Sequence, residues 1–155
     1  MKRYLLLLAA AAVAALAFPS IASAQSGHFV GNQTCTDIGT QLQCTGKVAG
    51  LGGTEFEITV SGATGTASVT CRNPAGNVAP GQAFSFPAGA SSGPLATPQN
   101  GNYTYSLATL APSAPAGSCP NRKWTATVDD VTFTGTVTIT LTEDGVVSDT
   151  FTVVL

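Results

Sequence analysis

From Val131 to Leu141 every odd position is apolar or glycine (Val131, Phe133, Gly135, Val137, Ile139, Leu141), and every even position from Thr132 to Thr142 is threonine. A strict period of two marks a half-buried β-strand, with one face toward a core and a hydroxyl face toward water. Shorter alternations recur at Leu42 to Val48, at Phe56, Ile58 and Val60 against Glu55, Glu57 and Thr59, at Ala67, Val69 and Cys71, at Phe84 and Phe86, and from Tyr103 to Leu110. Between them lie stretches whose prolines and glycines cannot sustain a ladder: 72–81, 87–101 and 111–121. Beyond the N-terminal apolar run, no segment carries a helical period. Short alternating strands separated by frequent turns predict an all-β chain, an immunoglobulin-like antiparallel β-sandwich of about seven to nine strands.

Side-chain parity constrains the last third further, because residues opposed on antiparallel strands share a face. Val137, Ile139 and Leu141 must face the core together with Phe151 and Val153. A three-residue loop Glu143-Asp144-Gly145, with Gly145 in the left-handed position of a bulge, meets that condition and pairs Val137 with Phe151, whereas a two-residue Asp-Gly turn sets Thr138 against Phe151. Upstream, a two-residue turn at Asp129-Asp130 is expected to pair Val128 with Val131, Ala126 with Phe133, and Trp124 with Gly135, laying the indole over bare backbone. Three neighbouring strands then present Thr125, Thr127, Thr132, Thr134, Thr136, Thr138, Thr140, Thr142, Ser148, Thr150 and Thr152 outward. The hydroxyls would be spaced about 6.8 Å along a strand and about 4.8 Å across strands. Threonine suits any exposed extracellular sheet, and such an array also suits three kinds of partner: polysaccharide, an ice surface, or a surface protein or second copy of the chain. Sheet twist works against the regular lattice that ice requires.

Residues 1–24 read as an export signal: Lys2 and Arg3, an apolar run from Leu5 to Phe18, and Ala22-Ser23-Ala24 as a small-residue cleavage site before Gln25. The run is too short for a membrane span and no second one follows. With no cysteine at the cleavage point and no sorting signal at the end, the product is expected to be secreted, extracellular or periplasmic, without an anchor. Residues 25–155 suit one domain. In that part four basic residues face eight acidic ones, a net charge of −4, which disfavours nucleic acid and anionic membrane as partners.

Cys35, Cys44, Cys71 and Cys119 all lie in the exported part, where an oxidising compartment lets thiols pair. Of the three possible connectivities, spacing favours Cys35 with Cys44 across a short turn at Asp37-Ile38-Gly39, and Cys71 with Cys119 between two loop-flanked sites. No CxxC pair or supporting histidine suggests a metal. Catalytic chemistry has few candidates. His28, the single histidine, lies near the expected mature N-terminus, where fraying is expected. Glu55 with Glu57 reads as a solvated strand face, and Asp129 with Asp130 as a turn, rather than as catalytic carboxylates or a calcium site. No nucleophile motif, phosphate loop or dinucleotide fingerprint occurs, and no cofactor is implied. Tyr103 and Tyr105 share a face that, with Trp124, could stack on a sugar ring, although Leu107 on the same face points to core packing. Asn32 and Asn102 open glycosylation sequons that a bacterial exported chain leaves idle.

The segments Gly46-Lys47-Val48-Ala49-Gly50-Leu51-Gly52, Cys71-Arg72-Asn73-Pro74-Ala75-Gly76-Asn77 with Pro80-Gly81-Gln82, and Cys119-Pro120-Asn121 followed by Trp124 resemble small secreted bacterial proteins of unassigned function. The resemblance spans most of the exported chain and rests on turn signatures. It implies a disulfide between Cys71 and Cys119, a fold and a compartment, but no reaction. The expected function is therefore non-enzymatic: an extracellular binding or structural module at the cell surface or matrix. The alternatives are a self-assembling, pilus-like or matrix subunit, and an ice- or polysaccharide-binding threonine face.

Overall fold

One strand organises the molecule. The computed structural model describes residues 27–155, and within it β3 (Glu55–Arg72) runs for 18 residues. The expected signal at 1–24 and mature start at Gln25 lie outside the described residues. A straight strand of that length would measure about 60 Å, well beyond the roughly 36 Å diameter of a compact domain of this size. A bulge at Ser61-Gly62 interrupts it, the register to β5 shifting between Val60 and Ala63, and a bulge bends the strand that carries it. Gly62 takes φ +92°, and a Cβ there would meet the Thr136 carbonyl oxygen at 2.5 Å. The buried side chains switch parity at that point, from Phe56, Ile58 and Val60 to Ala63, Gly65, Ala67, Val69 and Cys71. The two short alternations expected as separate strands are thus one strand with a bulge between them.

The other strands are β1 (His28–Asp37), β2 (Leu42–Ala49), β4 (Val78–Pro80), β5 (Phe84–Ser91), β6 (Leu95–Ala96), β7 (Tyr103–Ala108), β8 (Thr125–Thr134), β9 (Thr136–Glu143) and β10 (Val146–Val154). β1, β2 and β7 form a three-stranded antiparallel sheet, and the remaining seven form a second one around β3. β9 and then β8 run along one edge of β3, β6, β5 and β4 along the other, and β10 pairs with β9. The two sheets pack as a β-sandwich, as the alternation predicts. The ten strand segments exceed the expected seven to nine because β4 and β6 are only three and two residues long, and because Gly135 divides the threonine run into β8 and β9.

The core joins Leu42, Val48, Phe56, Ile58, Val60, Ala67, Val131, Val137, Ile139 and Leu141, all at most 3% exposed. β1 helps close it. The Phe29 N–H donates to Asp149 Oδ2 at 2.8 Å, and the Phe29 ring stands edge-on to Phe151 and Tyr105 at 6.2 and 6.3 Å, so the first strand touches both sheets. His28 is exposed but is not frayed: it opens β1 opposite Ala49.

Two predicted turns are corrected. Asp129 and Asp130 form no hairpin. β8 continues through them along β3, and the register slips by one between the pairs Ser68–Asp130 and Val69–Val128. The parity change between Val128 and Val131 is real, but a bulge produces it as well as a turn does, and β3 is long enough to hold both halves. Trp124 consequently does not cover Gly135. Phe86 makes the equivalent packing, over its partner Gly65, where an added Cβ would lie 2.6 Å from the ring.

The second correction concerns β9 and β10, which are joined by the two-residue turn Asp144-Gly145, with φ +46° and +81°. Val146 pairs with Glu143 and Val147 with Thr142. A register slip at Ser148 then restores the even sum, so that Phe151 meets Ile139, and Val153 rather than Phe151 meets Val137. The parity requirement holds; a tight turn followed by a bulge meets it in place of a three-residue loop.

Candidate functional site

The register of the larger sheet sets outward-facing hydroxyls side by side. Thr150, Thr140, Thr59 and Ser91 form one row across β10, β9, β3 and β5, and Thr152, Thr138 and Ser61 form the next. Beyond the bend, Thr134 opposes Thr64, Thr132 opposes Thr66 and through it Ser85, Thr127 opposes Thr70, and Thr125 opposes Arg72. The Thr66 and Ser85 hydroxyl oxygens are 3.1 Å apart, within hydrogen-bond reach across the strands. Thr125, Thr127, Thr132, Thr134, Thr136, Thr150 and Thr152 are exposed, while Thr138, Thr140 and Thr142 are half-buried.

The expected array is therefore present but arranged differently. β8 and β9 are collinear along β3 rather than neighbours, so the face is two blocks joined at the Gly62 and Gly135 bend, and β3 and β5 supply hydroxyls that the last third of the sequence does not contain. Ser148 leaves the array. Its bulge turns the hydroxyl inward, 2.6 Å from Glu143 Oε2 and 3.0 Å from the Gly27 carbonyl oxygen.

Both expected disulfide pairings occur. Cys35 and Cys44 are direct cross-strand partners on β1 and β2, and Cys71–Cys119 ties the end of β3 to the proline-rich connection before β8.

The remaining candidates separate. Tyr105 is buried in the sandwich with its hydroxyl donating to Gln33 Oε1 at 2.8 Å, and burial pushes its pKa up to about 12. Tyr103 packs edge-on against Phe56 at 5.0 Å. Trp124 lies instead at the proline-rich connection, in a concavity lined from Ala114 to Arg122 and by Ala126, so no aromatic platform forms with the tyrosines. Glu57 accepts a hydrogen bond from Ser91, and Asp129 accepts one from Thr70. Among the described residues no group of three or more His, Cys, Asp or Glu side chains is placed to hold a metal ion.

Glu143, expected in a loop, is fully buried at the end of β9. Its carboxylate accepts backbone N–H groups from Gly27 at 2.9 Å, Gly52 at 2.8 Å and Gly53 at 3.4 Å, besides the contact with Ser148. Burial raises its pKa, but these hydrogen bonds to the charged form prevail and hold it below the ordinary value. The neighbouring Asp144 accepts from the N–H groups of Thr54 and Glu55 at 2.9 and 3.0 Å, so consecutive carboxylates clamp the loop between β2 and β3. With its lone pairs occupied by these donors, Glu143 joins the start of β1, the loop between β2 and β3, and β10. Its signal was in the sequence: an odd position continuing Val137, Ile139 and Leu141 belongs to the inward face.

Comparison of the chain with protein-family models and with curated proteins finds no match.

Proposed function

We propose that the protein acts outside the cytoplasm as a non-catalytic binding module that holds polysaccharide against the hydroxyl face of its larger sheet. The observation that carries this reading is the cross-strand register that brings Thr150, Thr140, Thr59 and Ser91 into one row and Thr132, Thr66 and Ser85 into another. Hydroxyls in such rows both donate and accept, and so can exchange hydrogen bonds with a hydrated sugar chain at little cost in desolvation. Two disulfides fit an oxidising compartment. The one-residue slip between the blocks favours a flexible polymer over an ice lattice, because it breaks the repeat a crystal surface would have to match. The test is retention on insoluble polysaccharides, with Thr138→Lys and Thr140→Lys as variants. Retention of the parent and its loss in both variants at unchanged melting temperature is expected. A parent that washes through every polysaccharide, or variants retained as well as the parent, refutes the reading.

A self-assembling subunit has one observation in its favour. β10 is the edge strand of the larger sheet and leaves Val146, Val147 and Val154 at 56%, 60% and 80% exposure. Native sizing of material sheared from the cell surface tests it: a ladder of species supports assembly, and a lone monomer opposes it.

A further inference from the structure

We propose that the concavity around Trp124 is a second binding site, specific for a uronic-acid unit of an acidic polysaccharide. The sugar ring would stack on the indole and its carboxylate would pair with Arg122. This site lies at the proline-rich connection, outside the threonine rows, and stands independently of them.

The concavity measures about 730 Å³, within the range of small-ligand sites, and opens to solvent. Trp124, Arg122, Asn121, Ser118, Pro115 and Ala126 are among its lining residues, and no carboxylate is. Its wall is held in shape before any ligand arrives. Cys119 is bonded to Cys71 on β3, the Gln82 N–H donates to the Ser118 carbonyl at 2.8 Å, and the Ser118 hydroxyl donates to the Pro115 carbonyl at 2.8 Å. The approach to the strand is fixed as well: the Trp124 N–H donates to the Asn121 carbonyl at 3.1 Å, and the Lys123 N–H to Asn121 Oδ1 at 2.9 Å. Such pre-ordering lowers the entropy a loop-built site loses on binding.

Charge selects the ligand. The described chain holds four basic residues in an acidic protein, and of these Arg122 lines this concavity. Arg72 and Lys123 line a separate hollow with Asn73, Thr125 and Thr127, on the face of β8 opposite to Ala126. Among the described residues the Arg122 guanidinium meets no ion-pair or hydrogen-bond partner, and neither does the Trp124 indole N–H. The nearest carboxylate along the strand, Asp129, is engaged by Thr70. A half-buried indole asks for a flat apolar face, a free guanidinium for a carboxylate, and the indole N–H and Asn121 for hydroxyl groups. A uronic-acid ring offers all of these.

Trp124 is the chain's single tryptophan, so its emission reports on this site alone. The full chain, recovered after export, is titrated with oligogalacturonate, with a neutral glucan oligomer of equal length, and with single-stranded DNA. Saturable change with oligogalacturonate is expected, at least about tenfold weaker for the neutral oligomer and for Arg122→Gln, which removes one charge-assisted pair. Trp124→Phe, followed by calorimetry, is expected to weaken binding while Arg122 remains. Because Trp124 lies outside the threonine rows, its emission reads this site and not that face, so a failure of the hydroxyl-face reading and a failure of this one are told apart. No response to oligogalacturonate overturns the proposal, as does an equal response to DNA, or an Arg122→Gln variant that binds as the parent does.

Discussion

Replacing Glu143 by glutamine tests the account of the buried carboxylate. The substitution keeps size and shape but removes the charge and gives one end of the side chain two donors. If the amide oxygen keeps the Gly52 and Gly53 N–H groups at 2.8 and 3.4 Å, the NH2 group faces the Gly27 N–H, a donor against a donor. Ser148 can rotate to accept, but Gly27 cannot. A buried donor left unpaired costs about 1–3 kcal/mol, and converting charge-assisted bonds to neutral ones costs about 1 kcal/mol more. The expected loss is about 2–4 kcal/mol, a large part of the roughly 5–15 kcal/mol of a typical domain. In equilibrium urea unfolding at pH 7 with disulfides intact, that corresponds to a midpoint about 1–2 M lower.

The pH dependence gives a second reading. The folded pKa of Glu143 is depressed below its ordinary value of 4.5. Its stabilisation is thus complete above that value and is lost as pH falls through the folded pKa, where the unfolded state takes up the proton first. The gap between parent and variant should therefore narrow in acid. A variant midpoint within about 0.3 M of the parent at pH 7, or a gap that does not shrink on acidification, refutes the reasoning.

Three further outcomes are expected. Gly62→Ala should lower stability by at least about 1–2 kcal/mol because it forces an L-residue to positive φ. It should cost more than Gly76→Ala, since only Gly62 would also press a Cβ against the Thr136 carbonyl, and thermal melts compare the two. Cysteines placed at Thr138 and Thr152 should bond spontaneously under oxidising conditions, and cysteines at Thr138 and Thr150 should not; non-reducing peptide mapping thus decides between the observed register and its two-residue alternative. Replacing Cys71 and Cys119 by serine should cost about 4 kcal/mol, and replacing Cys35 and Cys44 about 2.6 kcal/mol, from loops of 48 and 9 residues in the chain-entropy model.

The alternation of side chains determined much of this protein. Period two made it all-β, named the inward residues of β3, β8 and β9, and placed the threonines outward, because burial of one face is a local property of each strand. Cysteine spacing was enough to favour the two pairings that occur. The parity changes at Val128 to Val131 and between Leu141 and Phe151 were also in the sequence. What produces each change was not, since a turn and a bulge shift parity alike, and only the partner strand distinguishes them. The tertiary structure decided that β3 is one long strand, that β8 and β9 share its edge, and that the hydroxyl face therefore draws on Thr59, Thr64, Thr66 and Ser85, distant in sequence. It also brought Gly27, Gly52 and Ser148 to Glu143 across separations of up to 116 residues. Periodicity describes a residue's face; which chain lies across from it depends on how the whole length folds back.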